Sequence, residues 1–130
     1  EPNLPVLGLP ALKKFSEDID SWWTSQTPSY SARFAYQVIE RRGTGGGCFR
    51  YIYSDFLKNS SVFIPQLNSF AERLNNIGRL WTKLALDFKE ISISNNISEI
   101  KTRGLKNEVI KISEEEEKFF LDLNKFCRTL

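Results

Sequence analysis

Apolar residues recur at intervals of three and four along most of this chain, and nowhere do they alternate over a stretch long enough for a useful strand. The clearest run is Leu67, Phe70, Leu74, Ile77, Trp81, Leu84, Phe88 and Ile91, widened by Ala71 and Ala85. It predicts one amphipathic helix beginning after Pro65 and reaching Ile91. Residues 92–98, rich in serine and asparagine, break the pattern. From about residue 100 a second long stripe follows in Leu105, Val109, Ile112, Phe119, Leu123 and Phe126, with Gly104 as a weak point and Glu116 in its middle.

Three shorter segments precede these. Residues 10–23 place Leu12, Phe15, Ile19 and Trp22 at helical spacing, with Pro10 near the start. Residues 29–42 put Phe34, Ala35, Val38 and Ile39 on one face; Ser29 or Ser31 suits the N-cap, and Gly43 suits the stop after Arg41 and Arg42. Residues 48–60 carry Phe49, Ile52, Tyr53, Phe56 and Leu57 on one side. The segment from Ile91 to Ile93 is too short for a strand. The expectation is an all-α bundle of about five helices, the two long ones antiparallel and the short ones covering their open faces.

Residues 1–10 hold Pro2, Pro5 and Pro10 with apolar residues between them, which predicts an extended interdomain segment. Residues 11–130 then form a single helical domain, expected to be the C-terminal part of a longer protein. A chain of 130 residues suffices for one core. Its 18 basic and 16 acidic residues are mixed, so no basic stripe favours nucleic acid. The apolar runs are too short for a membrane span, and a cytoplasmic location is expected. With 2 cysteines and 0 histidines, the chain has no disulfide framework, Ser-His-Asp arrangement or histidine metal site; reduced thiols and no metal are expected.

The one stretch whose composition packing does not explain is Arg42-Gly43-Thr44-Gly45-Gly46-Gly47-Cys48-Phe49-Arg50. Glycine-rich backbone ahead of a helix can present N–H groups to an anion, and Arg50 one turn on could join them. Gly43, Thr44, Gly45, Gly46, Gly47, Arg50, Tyr53 and Glu116 are therefore the candidate anion- or ligand-binding residues. A P-loop needs lysine where Cys48 stands, and no strand precedes for a dinucleotide fold. The structural alternative is that these glycines let helices turn and approach closely. Cys48, at a helix start, has the setting of an activated thiol but no histidine base; small buried filler is the simpler reading. Glu116 either lies on a solvated rim as the stripe drifts, or pairs with Arg50. Contact between Arg50 and an acidic residue of the last helix is the expectation to test. Trp22 and Trp81 fit core stripes, whereas Trp23 falls beside one and is a candidate interface residue.

From Arg42 to Leu57 the sequence RGTGGGCFRYIYSDFL resembles a segment of proteins similar to butirosin biosynthesis protein H. The order of the Gly8 to Trp23 opening, the Leu80 to Phe88 helix and the glutamate-rich last helix resembles that family's C-terminal helical domain. The resemblance implies an upstream catalytic domain of the same chain related to cysteine-peptidase-like acyl-transfer folds. In the butirosin member, an aminoacyl group passes from an acyl carrier protein to an aminoglycoside. It also implies a phosphopantetheine or coenzyme A thioester for the parent protein, no cofactor in this part, and a place in secondary metabolism. Cys48 occupies a variable position of the motif. The alternative function is a non-enzymatic helical interaction domain, binding a partner through its apolar N-terminal segment and Trp23.

Overall fold

A computed structural model of the chain describes residues 7–42, 46–94 and 96–130. It is an all-α bundle of five helices: α1 Gly8–Trp23, α2 Pro28–Tyr36, α3 Gly46–Ser60, α4 Leu67–Ile93 and α5 Glu99–Cys127. A π-helical turn, Gln37–Arg41, extends α2 and closes with Arg42 N–H donating to the Gln37 carbonyl at 2.9 Å.

The local rules explain most boundaries. Pro28 opens α2, where its missing N–H and fixed φ fit the first turn. The cap position is Thr27 rather than Ser29 or Ser31, and Ser31 Oγ donates back to the Thr27 carbonyl. Ser98 caps α5, its hydroxyl accepting from Lys101 N–H at 3.3 Å. Gly104 leaves α5 unbroken. Two expected boundaries shift: α1 starts at Gly8, so residues 8–10 are helical rather than linker, and α3 starts at Gly46, inside the glycine run. The remaining linker residues 1–6 and the expected Gly43 cap lie outside the described residues.

Helix α4 is the hub, packed by α2, α3 and α5, while α1 lies along α5 and reaches α2. Descending α4 through Lys83, Trp81 and Arg73, the partners on α5 ascend through Glu108, Glu116 and Asp122, so the long helices run antiparallel. Every member of the α4 stripe is buried except Phe70, which is partly buried. Ile19, Leu84, Phe88, Val109 and Phe119 are wholly inaccessible to solvent. Burial of this kind is worth about 1.5–3 kcal/mol per large side chain before conformational entropy is subtracted.

Phe15, Trp22 and Trp23 converge on Phe88 with ring centroids 6.0–6.4 Å apart. Trp23 is thus a packing residue and not an open platform, although its indole Nε1 is buried without a hydrogen-bond partner. Cys127 is exposed on the last turn of α5, and Cys48 is half-buried; both are free thiols.

The largest departure from the sequence reading is the orientation of α3. Its Phe49, Ile52 and Phe56 face solvent, while Gly47, Ser54 and Leu57 face α4. The expected apolar side of α3 is its outer side, and only Leu57 of that group is buried.

Candidate functional site

Glu116 stands one turn from Ile112 and Phe119 on the stripe of α5, so the helix that buries those two buries the carboxylate as well. It is 3% exposed. A carboxylate so placed needs its acceptor positions filled, because an unpaired charge in an apolar interior is far more costly than a paired one. Arg50 of α3 fills them bidentately: Nε donates to Glu116 Oε1 at 2.6 Å and Nη2 to Oε2 at 2.9 Å. Trp81 of α4 adds its indole N–H to Oε1 at 2.7 Å. The Arg50 guanidinium also lies 5.1 Å from the Trp81 ring centroid, a cation–π arrangement. The expected contact between Arg50 and the last helix is therefore present, and the rim position for Glu116 is corrected. The stripe drift that would carry residue 116 outward is offset by the Arg50 side chain, which reaches from α3 across the Trp81 ring to the carboxylate.

Two glycines let α3 come that close. A β-carbon at Gly47 would stand 2.9 Å from Glu40 Oε1, 3.0 Å from Thr82 Oγ1 and 3.2 Å from the Gly78 carbonyl oxygen. One at Gly78 would meet the Tyr51 ring at 2.8 Å. Beside them Thr82 Oγ1 donates to Glu40 Oε1 at 2.8 Å, and with its proton so committed accepts from Tyr51 Oη at 3.0 Å. Ser54 Oγ donates to the Ala71 carbonyl at 2.7 Å. The carboxylate of Glu40 thus lies against the first turn of α3, where unpaired backbone N–H groups and the helix dipole favour negative charge.

Of the sequence-predicted site residues, Arg50 and Glu116 come together; Gly46 and Gly47 belong to the first turn of α3; Tyr53 is half-buried, packed against the core with its ring centroid 6.1 Å from that of Phe56. Gly43, Thr44 and Gly45 lie outside the described residues. Glu40, Tyr51, Gly78 and Thr82 were missed. Gly78 did carry a signal, since a lone glycine in a long helical stripe marks a close approach.

The Arg50–Glu116 pair forms the polar end of an open groove of about 500 Å³. Leu9, Ala11, Leu12 and Phe15 of α1, Trp81 of α4 and Phe120 of α5 supply its apolar walls. At the polar end the guanidinium and carboxylate already face each other, each offsetting the other's charge. The size and lining of the groove suit the uncharged part of a small molecule.

A second charged cluster links α4 and α5 farther along. Lys83 bridges Asp87 and Glu108, and Glu108 Oε2 is buried without a partner. Burial pushes the Glu108 carboxyl above its ordinary range, the Lys83 ammonium opposes that, and Asp87 adds to the rise. Lys83 is itself held above its usual value by its hydrogen bonds to Asp87 and Glu108. Among the described residues no cluster of three or more His, Cys, Asp or Glu side chains could hold a metal ion, and no helix is long and apolar enough to cross a membrane.

A family model described as "Domain of unknown function (DUF4872)" matches residues 1–123. The chain belongs to this family. The DUF4872 match spans the glycine segment, Arg50 and Glu116, and leaves only the end of α5 and the last residues outside. Neither the curated proteins nor the solved structures include a match to this DUF4872 chain.

Proposed function

We propose that this DUF4872 domain is the helical donor-holding module of an acyltransferase-like protein, related to aminoglycoside side-chain acyl transfer, whose catalytic residues lie in a domain outside these 130 residues. The supporting observation is the apolar groove ended by the neutralised Arg50–Glu116 pair. An acyl-pantetheine arm is long, thin and uncharged over most of its length, which matches apolar walls and a polar end whose two charges offset each other. Holding the arm would raise the effective concentration of the thioester at a separate thiol. There a thiolate attacks the acyl carbon and the carrier's sulfur leaves as thiolate; an acceptor amine then displaces the enzyme sulfur and loses its proton. This domain contributes orientation only. The carrier of the arm would be an acyl carrier protein, and the working location cytoplasmic.

Calorimetric titration with butyryl-pantetheine, and separately with inorganic phosphate, tests the reading. The thioester should bind the wild-type domain and lose binding in Ala11→Trp, which fills the groove from its lip, while phosphate binds neither. Negligible thioester binding to the wild type overturns the proposal. A second reading, a non-enzymatic interaction domain, is favoured by the outward apolar side of α3, with Trp23 only partly exposed.

A further inference from the structure

Phe49, Ile52 and Phe56 are 50%, 59% and 60% exposed and lie three and four residues apart on one face of α3. Asn59 is exposed at the next position of the same spacing. Beyond the helix the backbone keeps turning, with Ser61 N–H on the Leu57 carbonyl and Phe63 N–H on the Ser60 carbonyl, and Phe63 is 86% exposed. None of these residues is charged. Exposed apolar side chains scattered singly are ordinary, but a continuous stripe on one helix marks a contact surface.

We infer that α3 pairs with α3 of a second copy of this chain across a two-fold axis, with Ile52 and Phe56 at its centre. This rests on the outward orientation of α3 and is independent of the donor-holding reading of the groove. Three observations select a second copy as the occupant. Knobs spaced by three and four fit the holes of a helix with that same spacing, and α3 with the turn that follows it offers this spacing from Phe49 to Phe63. An isologous antiparallel pairing brings the Phe49 end of one stripe towards the Phe63 end of the other, so both ends are covered at once. Side chains of these sizes and exposures present on the order of 500 Å² of apolar surface. That is most of the roughly 800 Å² that each partner gives to a standard interface. A net charge of +2 imposes little repulsion between copies.

Sedimentation equilibrium from micromolar to near-millimolar protein is the test, with Phe56→Glu and, as a control, Ile100→Glu, which alters an isolated exposed residue 85% open to solvent. The wild type and the control should dimerise alike, and Phe56→Glu should weaken association by at least about 30-fold with its helical circular dichroism unchanged. Because residue 56 is largely exposed in the single chain, loss of fold is not the expected cause. A wild type monomeric throughout the range overturns the inference, as does a dimer indifferent to Phe56→Glu. A monomer whose Phe56 becomes protected only when a catalytic domain is added also overturns it, and assigns the stripe to that domain.

Discussion

Helices α3 and α4 carry apolar stripes of the same three-and-four spacing and turn them in opposite directions. In α4 the stripe lies in the middle of the bundle, touched from three sides. In α3 the stripe faces out, and the helix is held by a side made of Gly47, Arg50, Tyr51, Ser54 and Leu57. Hydrophobicity orients a helix when nothing more specific competes. On α3 the competitors are a bidentate ion pair, two hydroxyl contacts and a glycine-to-helix approach, each requiring that face. Leaving a half-exposed stripe is the consequence, and a stripe so displayed is available for contact.

The sharpest way to expose this contrast is to truncate one phenylalanine from the buried stripe. Phe88→Ala removes a ring with no solvent exposure that packs against Phe15, Trp22 and Trp23, and should cost about 3–5 kcal/mol in urea unfolding. A loss below about 1 kcal/mol would mean that the end of the bundle beside α1 is loosely packed.

Arg50→Ala follows, at about 3 kcal/mol, because it strands the Glu116 carboxylate with only the Trp81 indole for a partner. The figure sits at the low end of the range for broken buried pairs since the arginine side chain is partly solvated. Replacing both partners, Arg50→Met with Glu116→Leu, should recover most of that loss, as apolar pairs of similar volume commonly do. If the double replacement is no better than Arg50→Ala, the pair orients α3 in a way that apolar packing does not reproduce.

How much of this was legible in the sequence differs between the same two helices. The α4 stripe from Leu67 to Ile91 reads directly from periodicity, because a helix touched on several sides has no polar option to compete with. The order of five helices and the antiparallel long pair follow from the same signal and from the short serine- and asparagine-rich break. For α3 periodicity pointed to the wrong face, since the deciding groups are distant in the chain: Glu116 lies 66 residues from Arg50, and Thr82 lies 31 from Tyr51. Glu116 was visible as an interruption of an apolar stripe and Arg50 as its partner, whereas Trp81 was visible only as core. Glu40 and Thr82 have no local mark, because a polar residue on a helix says nothing by itself about which neighbour it meets.

Close approach at the glycines gives a smaller effect with a distinctive signature. Gly78→Ala gains helix propensity of about 1 kcal/mol but sets a methyl against the Tyr51 ring, and overpacking of that kind costs about 1–3 kcal/mol. Net destabilisation of about 1 kcal/mol is the expected outcome by thermal or urea unfolding. In a Tyr51→Ala background the clash is gone, so the same Gly78→Ala change should become neutral or stabilising. That reversal is the measurement: a Gly78→Ala effect identical in both backgrounds would place the Tyr51 ring elsewhere.

The smallest expected effect belongs to the outer stripe. Phe49→Ser and Ile52→Ser should each change the stability of the monomer by less than about 0.5 kcal/mol, since both side chains are at least half in water before the substitution. The measurement has to be made well below the dissociation constant of the pair, because pairing through α3 would add a concentration-dependent term to every unfolding curve. In dilute solution both variants should overlay the wild type. As concentration rises the wild type should gain in melting temperature and the variants should not. Equal gains would show that association, if present, uses another face; a large loss in dilute solution would show that α3 turns its aromatic side inward. Phe88 and Phe49 carry the same ring, so their difference in cost measures the orientation of their helices directly.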